Sequence, residues 1–402
     1  MTQMMIKMYK KGSMFMKKAI SIILSAVLLF SCLSFNAFAE STPAAESTEA
    51  SYNLDWFKGF CKWLYLCLNP IPINESGIRV KVSTEKISKK MKSAPEAHAS
   101  TILKMKNGDL ISAWFAGANE GADDVRIFYS VRKNGKWTSP KQIITNIDAA
   151  HWNPVLYETK DGNVRLYFKA GNCSQDWLGY YCESDNYGES FGEIHEIPLN
   201  TDVGLTASGP VKNKCFRTRD GLLLAPNSYE TNQIRHTVIE YSEDDGLTWK
   251  NNGAVTATDK DGNDVKIIQP SIWQSDDGSC HALMRSKSCF TYRTDSYDGG
   301  KTWSNAYRIS LPNNNSGLDL VKTDDGLIWL LCNPSPIDWF RAPLTLYVSK
   351  DDGKTWKTVT NIHIGIFEEL SYPFVVAEGN TLYISYTNNR KNINYAKVEY
   401  TY

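Results

Sequence analysis

A tight turn closed by glycine recurs six times along this chain, and that recurrence limits its possible folds more than any other feature. The turns are Asn107-Gly108, Asp161-Gly162, Asp220-Gly221, Asp277-Gly278, Asp325-Gly326 and Glu378-Gly379, with glycines 54, 59, 57, 48 and 53 residues apart. Each lies between two runs rich in β-branched and aromatic residues, such as Leu110 to Trp114 and Val164 to Phe168. Asn-Gly or Asp-Gly between such runs marks a hairpin, because glycine accepts the positive φ that a tight turn requires.

A second motif repeats out of phase with the first. Its clearest copy is Ser242 to Trp249, with Asp244, Gly246 and Thr248. Ser296 to Trp303 and Ser349 to Trp356 repeat it. Ser184 to Phe191 carries Asn186 in place of the aspartate, and Ser130 to Trp137 is degenerate, with Arg132 and Asn134. The closing aromatics are 54, 58, 54 and 53 residues apart. The acid or amide bonds loop N–H groups, glycine takes the strained position, and the aromatic covers a neighbouring strand. Each unit of about 50 residues therefore holds four strands, the size of a propeller blade. The last unit, Ser371 to Tyr402, supplies only three strands. The alternating segment Ile78 to Thr84 predicts the fourth, closing the ring with strands from both chain ends. The expected fold is all-β, a six-bladed β-propeller, with the repeated turns on its rim as scaffolding.

The flanks and the composition narrow the function. Lys17 and Lys18 precede an apolar run from Ala19 to Leu33, and Ala37-Phe38-Ala39 is a small-x-small cleavage site. Residues 1–39 thus read as a secretory signal, and the run is shorter than the roughly 20 residues of a membrane span. The chain is expected to be secreted or held at the cell surface. Ser41 to Ala50 reads as a flexible spacer. Trp56 to Leu68 is aromatic and apolar, suited to docking on the main domain or on a surface. Residues 40–77 are thus a linker with an aromatic segment, and 78–402 the propeller. Removing the five lysines of residues 1–39 leaves 39 basic residues against 44 acidic. No basic field is present to attract nucleic acid. Without Cys32, eight cysteines remain. Cys173/Cys182 and Cys280/Cys289 are close enough for local disulfides, with free buried thiols as the alternative. No Cys-x-x-Cys occurs and nothing indicates a metal or cofactor.

The strands that line a propeller axis each begin on one face. Six leading segments stand out: Ala97 to Ser100, His151 to Pro154, Ser208 to Pro210, Gln269 to Ser271, Asn315 to Gly317 and Ser371 to Pro373. They carry polar, aromatic and small residues where a structural strand would carry Val or Ile. Six such segments converging on one axis make a lined pocket, among them His98, His151, Asn153, Gln269, Asn315 and Tyr372.

The repeated turns resemble the Asp-box, or BNR, repeats of the sialidase (neuraminidase) superfamily, over roughly residues 93–402. The resemblance implies an exo-acting glycoside hydrolase that removes a terminal acidic sugar, sialic acid or similar, from a glycan. Sialidases hold the sugar's carboxylate with three arginines, whose planar forks suit it. Arg341, after Asn333-Pro334, matches the third, and Arg285 the second. At the first family arginine this chain has His98, ten residues before Gly108; Arg390, late in blade six, is the candidate to compensate. Lys169 or Lys214 would add to the positive field. Tyr372 falls on the family nucleophile. Gln269 stands where the family has the glutamate that takes the tyrosine's proton, with Glu368, Glu369 or Glu230 as stand-ins. Asp124 is the expected general acid, and Glu120 its rival in the same loop.

Two other readings follow from the departures. His98, His151 and Tyr372 with Arg285 and Arg341 fit a lyase or other glycosidase acting on uronate-containing glycans, since imidazole has a useful pKa for moving protons. Gln269 favours a glycan-binding propeller without catalysis, with Trp152, Trp177, Trp339 and Phe340 as surfaces for stacking on sugars.

Overall fold

The computed structural model describes residues 46–69, 74–199, 207–231, 234–338, 340–365 and 367–402. The 1–39 leader, Cys32 and Trp339 lie outside these. Leu54–Tyr402 form one compact unit. The six repeats are six antiparallel sheets, five of four strands and one of five. Four have inner strands Glu96–Lys104, His151–Glu158, Phe216–Arg217 and Ile267–Gln274, and the last two Asp319–Lys322 and Leu370–Glu378. The ring closes as the alternation predicts. Arg79–Ser88 pairs with the last strand, Asn392–Thr401, from Arg79 opposite Thr401 to Ser88 opposite Ile393. It runs four residues further than its apolar alternation indicates.

The core lies between blades rather than within them. Blades one and two close over Ile111, Phe115, Leu156 and Phe168. Blades five and six close over Trp329, Leu346, Val375 and Ile384. Blades six and one close over Trp114, Phe374 and Tyr395. These side chains are at most 3 % exposed.

The Asp-boxes do more than close their own turns. In the clearest copy Asp244 accepts from Thr248 N at 2.9 Å, Ser242 Oγ at 2.7 Å and Thr248 Oγ1 at 2.5 Å. Asp298 and Asp351 repeat the pattern. The box glycine then lies against the preceding blade. A Cβ on Gly188 would meet Ile111 at 2.7 Å, one on Gly300 Leu224 at 2.5 Å, and one on Gly353 Trp273 at 2.6 Å. The box thus clamps blade to blade, which its local chemistry alone does not reveal.

An α-helix, Glu46–Leu68, precedes the propeller and begins inside the stretch expected to be a spacer. From Leu54 onward it packs on the propeller. Trp63 is buried, donates its indole N–H to Ala342 O at 2.8 Å and tilts against Phe340 at 5.3 Å. Asp55 pairs with Arg308 at 3.1 Å. Phe340 is therefore spent on the helix, not on a sugar. No helix among the described residues is long and apolar enough to cross a membrane. All eight cysteines from Cys61 to Cys332 are free. The local disulfides do not form: Cys182 and Cys280 are buried in the sheets, while Cys173 is exposed in a loop.

The clamp gives a stability prediction. Gly353→Ala should cost about 3 kcal/mol, left-handed strain plus overpacking against Trp273. Gly278→Ala, also at positive φ but with nothing within 4 Å, should cost about 1–2 kcal/mol. Equal losses in denaturant melts would show that the contact with Trp273 is not what demands glycine.

Candidate functional site

One backbone feature repeats around the axis. Ala99 (φ 53°), Asn153 (43°), Lys212 (66°), Gln269 (59°), Asn315 (58°) and Tyr372 (50°) are all left-handed. In blades one, two, four and six, strand pairing slips at this point, between His98 and Thr101, Trp152 and Val155, Ile268 and Ser271, and Ser371 and Phe374. Pro154, Pro270 and Pro373 lie within these bulges, where no ladder N–H is required. Such residues cost of order 1–3 kcal/mol each and persist where the surroundings fix them. The polar leading segments are thus the mouth of the pocket. In blade three both Gly209 (φ 86°), inside Ser208 to Pro210, and Lys212, two residues beyond that segment, are left-handed. The X-Pro pairs mark three of the six positions; Lys212 has no such signal.

Three arginines converge here. Arg285 ends the strand Cys280–Ser286 and is 6 % exposed. Its guanidinium donates to Gln269 Oε1 at 3.1 Å and to Asn315 Oδ1 at 3.2 Å from two nitrogens. Among the described residues it makes no ion pair. Burial pulls its pKa down, while the Tyr372 hydroxyl beside it acts the other way. Arg341 donates to Glu369 Oε1 at 2.9 Å. Asn333 holds the Arg341 carbonyl at 3.1 Å, and Leu370 N holds it at 2.9 Å. Arg390 pairs with Glu369 at 2.9 Å and with Glu120. It sits with Asn389 in the turn Asn388–Lys391, both at positive φ as in a type I′ turn, where glycine or asparagine is usual. Its carbonyl accepts from Ala97 N at 2.8 Å, which docks this hairpin beside His98. The compensating arginine therefore reaches the cluster from the far end of blade six. Two of the three guanidiniums are ion-paired, with Glu369 and Glu120, while Arg285 feels the charge of Glu230 without a direct ion pair.

His98 is 1 % exposed, and neither ring nitrogen has a hydrogen-bond partner. Its ring meets Tyr372 edge-on at 4.5 Å and Phe115 at 5.7 Å. Burial, then the charges of Arg390, Arg341 and Arg285, hold its pKa well below 6.5. The imidazole is neutral. Asn153, the left-handed residue of blade two, is buried as well. Trp152 is half-buried, against Phe115 at 6.0 Å and Trp177 at 6.2 Å.

Other candidates are placed differently. His151 is buried within blade two. Its Nδ1–H donates to Ala149 O at 2.8 Å, Nε2 accepts from Thr145 Oγ1 at 3.0 Å, and the ring stacks on Phe168. It is structural rather than a pocket ligand. Asp124 uses both oxygens on the Ala118 N–H, at 3.0 and 3.1 Å, and so shapes its loop. Glu120, its rival, is the one that joins the arginines. Lys169 is buried on the carbonyls of Ser208 and Gly209, and Lys214 on Asp319 at 2.6 Å, so neither is left for a ligand. Trp177 is buried with Ala207 and Val211. Glu368 turns to His363 and Asn388; Glu230 bonds to Ser228 and Arg235, and its charge also reaches Arg285.

Burial pulls the His151 pKa from 6.5 to about 4. The unfolded ring takes a proton before the native one does. Its contribution is therefore full above about pH 6.5 and is lost as pH falls toward 4. The loss should reach about 2–3 kcal/mol by pH 4.5. Denaturant melts from pH 7.5 to 4.5 should show a correspondingly shallower decline for His151→Phe; parallel declines would refute this assignment.

The sequence matches the family model described as a BNR repeat-like domain over residues 108–384. No curated protein sequence matches the chain. Among solved structures, a protein of unknown function from Dyadobacter fermentans aligns at 18% identity and TM-score 0.64, over 81% of this chain and all of its own. Trypanosoma rangeli sialidase with the inhibitor DANA aligns at 17% and 0.61, over 79% of this chain. A mutant of NanB sialidase from Streptococcus pneumoniae aligns at 13% and 0.60, over 83% of this chain and 70% of its own. This chain spans 59% of the Trypanosoma rangeli chain. At such identities the likeness is one of fold. The model match, the boxes and the six blades together make this chain a member of the BNR repeat-like family, with a sialidase-like propeller.

Proposed function

We propose that the chain is an exported, sialidase-like glycoside hydrolase that removes a terminal acidic sugar from glycans. The observation that carries the reading is Arg285, a buried guanidinium that donates to two neutral amides beside the Tyr372 hydroxyl and makes no direct ion pair among the described residues; Glu230, whose charge also reaches it, is bonded to Arg235 and Ser228. A buried cation without a direct ion-pair partner is costly, and a substrate carboxylate would supply one. Arg341 and Arg390 flank it, and Trypanosoma rangeli sialidase has been solved with sialic acid. The signal-like residues 1–39 support export, and the aromatic helix leaves surface association open to test.

In this reading Arg285, Arg341 and Arg390 orient the carboxylate, with Gln269, Asn315 and Asn153 around the sugar. The Tyr372 oxygen bonds to the anomeric carbon as the glycosidic C–O bond breaks. As Arg390 turns from Glu120 to the substrate carboxylate, Glu120, on the loop that Asp124 shapes, takes a proton from solvent and passes it to the leaving oxygen. The phenol proton passes to Glu369, which accepts from Ser371 next to the nucleophile at 3.3 Å. Water then releases the sugar and regenerates Tyr372. His98 packs against the tyrosine as a neutral ring. The uronate-lyase reading would need that sealed imidazole to take a proton, which its depressed pKa opposes. Gln269, bonded to Arg285, supports the binding-only reading.

The test is mass spectrometry of products from sialylated and uronate-containing glycans, with calorimetry of acidic-sugar binding. A released acidic sugar carrying one added water is expected. Tyr372→Phe should abolish release while binding survives. Arg285→Met should weaken binding by about 100-fold, near 3 kcal/mol for a buried charge pair. An unsaturated product would establish a lyase. Binding without turnover, lost in Arg285→Met, would establish a binding module.

A further inference from the structure

We propose that Lys212 is a positioning residue for Tyr372, locking the leading ends of blades four, five and six so that their left-handed residues face Arg285. The site role of Tyr372 rests on the reading above; the lock rests on geometry alone. Lys212 is 2 % exposed. Its ammonium donates to Pro373 O at 2.7 Å, to Leu318 O at 2.8 Å and to Asn213 Oδ1 at 2.5 Å. Three donors meet three acceptors. Pro373 follows Tyr372 directly, and Leu318 lies three residues after Asn315. The adjacent Asn213 completes the set: its amide donates to Gln269 O and Pro270 O, both at 3.0 Å. One dipeptide of blade three thus bonds the backbone beside three of the left-handed residues, those of blades four, five and six.

The lock is itself strained. Asn213 N bonds Val211 O at 2.8 Å across Lys212 at φ 66°, a γ-turn of the rare kind. Space for the side chain comes from Gly317, where a Cβ would meet Lys212 Cε at 3.1 Å. None of the three acceptors is a carboxylate, and among the described residues Lys212 makes no ion pair. Burial lowers its pKa to about 7, opposed by Asp319 and reinforced by Lys214 and Arg285. An ordinary core residue would meet these costs with nothing in return; here they fix the backbone beside Tyr372.

The experiment uses the full chain with fluorotyrosine incorporated, the Tyr372 ¹⁹F resonance being assigned by Tyr372→Phe. In Lys212→Met the Tyr372 resonance should move, and turnover should fall by about 100-fold, as for a misplaced reacting group, with KM within about threefold. Lys212→Gln, which keeps two donors, should restore part of both. A Tyr372 resonance unchanged in folded Lys212→Met overturns the proposal. So does a parallel loss of turnover, affinity and melting temperature, which would mark a merely structural lysine. Should Lys212→Met not fold, Lys212→Gln is read by the same criteria. The resonance reports on the lock even if no glycan is cleaved, so failure of the hydrolase reading and failure of this one are separate results.

Discussion

The buried carboxylate of Asp319 holds the axis on which the site is built. It is 0 % exposed. Lys214 reaches both of its oxygens at 2.7 and 2.6 Å, Ser271 Oγ donates at 2.7 Å and Val375 N at 2.8 Å. Those donors come from blades three, four and six, while Asp319 itself opens blade five. Propeller blades otherwise meet through apolar faces, which resist separation but slide easily because dispersion contacts have little direction. Directional, charge-assisted bonds at the centre remove that freedom. A buried ion pair is costly unless its remaining lone pairs are filled, and here they are.

A fixed axis is what allows strained residues at the mouth of the pocket. In blades one, two, four and six the left-handed position bends its strand out of register. The same left-handed backbone repeated around the axis brings Gln269 and Asn315 to one guanidinium and Tyr372 beside it. The outer rim solves the complementary problem. There the boxes press a glycine backbone onto a buried side chain of the preceding blade, Ile111, Leu224 or Trp273, so spacing is set by a contact that leaves no room for a Cβ. Rigid at both radii, the blades hold long arginine side chains in one arrangement with few contacts of their own.

How much of this is legible in the sequence follows from how local each feature is. The hairpin glycines and boxes are local, and they carry the blade count and the ring closure. The pocket segments are legible because Asn153-Pro154, Gln269-Pro270 and Tyr372-Pro373 break the strand pattern within a few residues. Lys212 is not, because blade three has only a two-residue inner strand, Phe216–Arg217, and its left-handed turn lies upstream of it. The choice of Glu120 over Asp124 needs a partner 270 residues away, Arg390. Lys169 and Lys214 look like free cations in sequence because the carbonyls and the carboxylate that consume them belong to other blades. His151 and His98 are alike in sequence, each in the leading segment of its blade. Only packing separates a ring with both nitrogens bonded from one with neither.

That difference bears on the site's charge. In the resembled family an arginine stands at the position of His98. Arg390 here enters from blade six and its carbonyl bonds the backbone at Ala97, next to that position. A guanidinium kept at residue 98 as well would make four cations against Glu369 and Glu120, in a space where burial already pulls Arg285 down. Histidine avoids this, because burial, and after it the charges of the three arginines, keep it unprotonated. The neutral His98 and Arg390 together thus stand where the resemblance implies one arginine. The pocket holds three guanidiniums, and the third enters from blade six, where Arg390 also anchors the Glu120 loop. The preference for an acidic group proposed for this pocket therefore does not depend on the arginine that the sequence lacks.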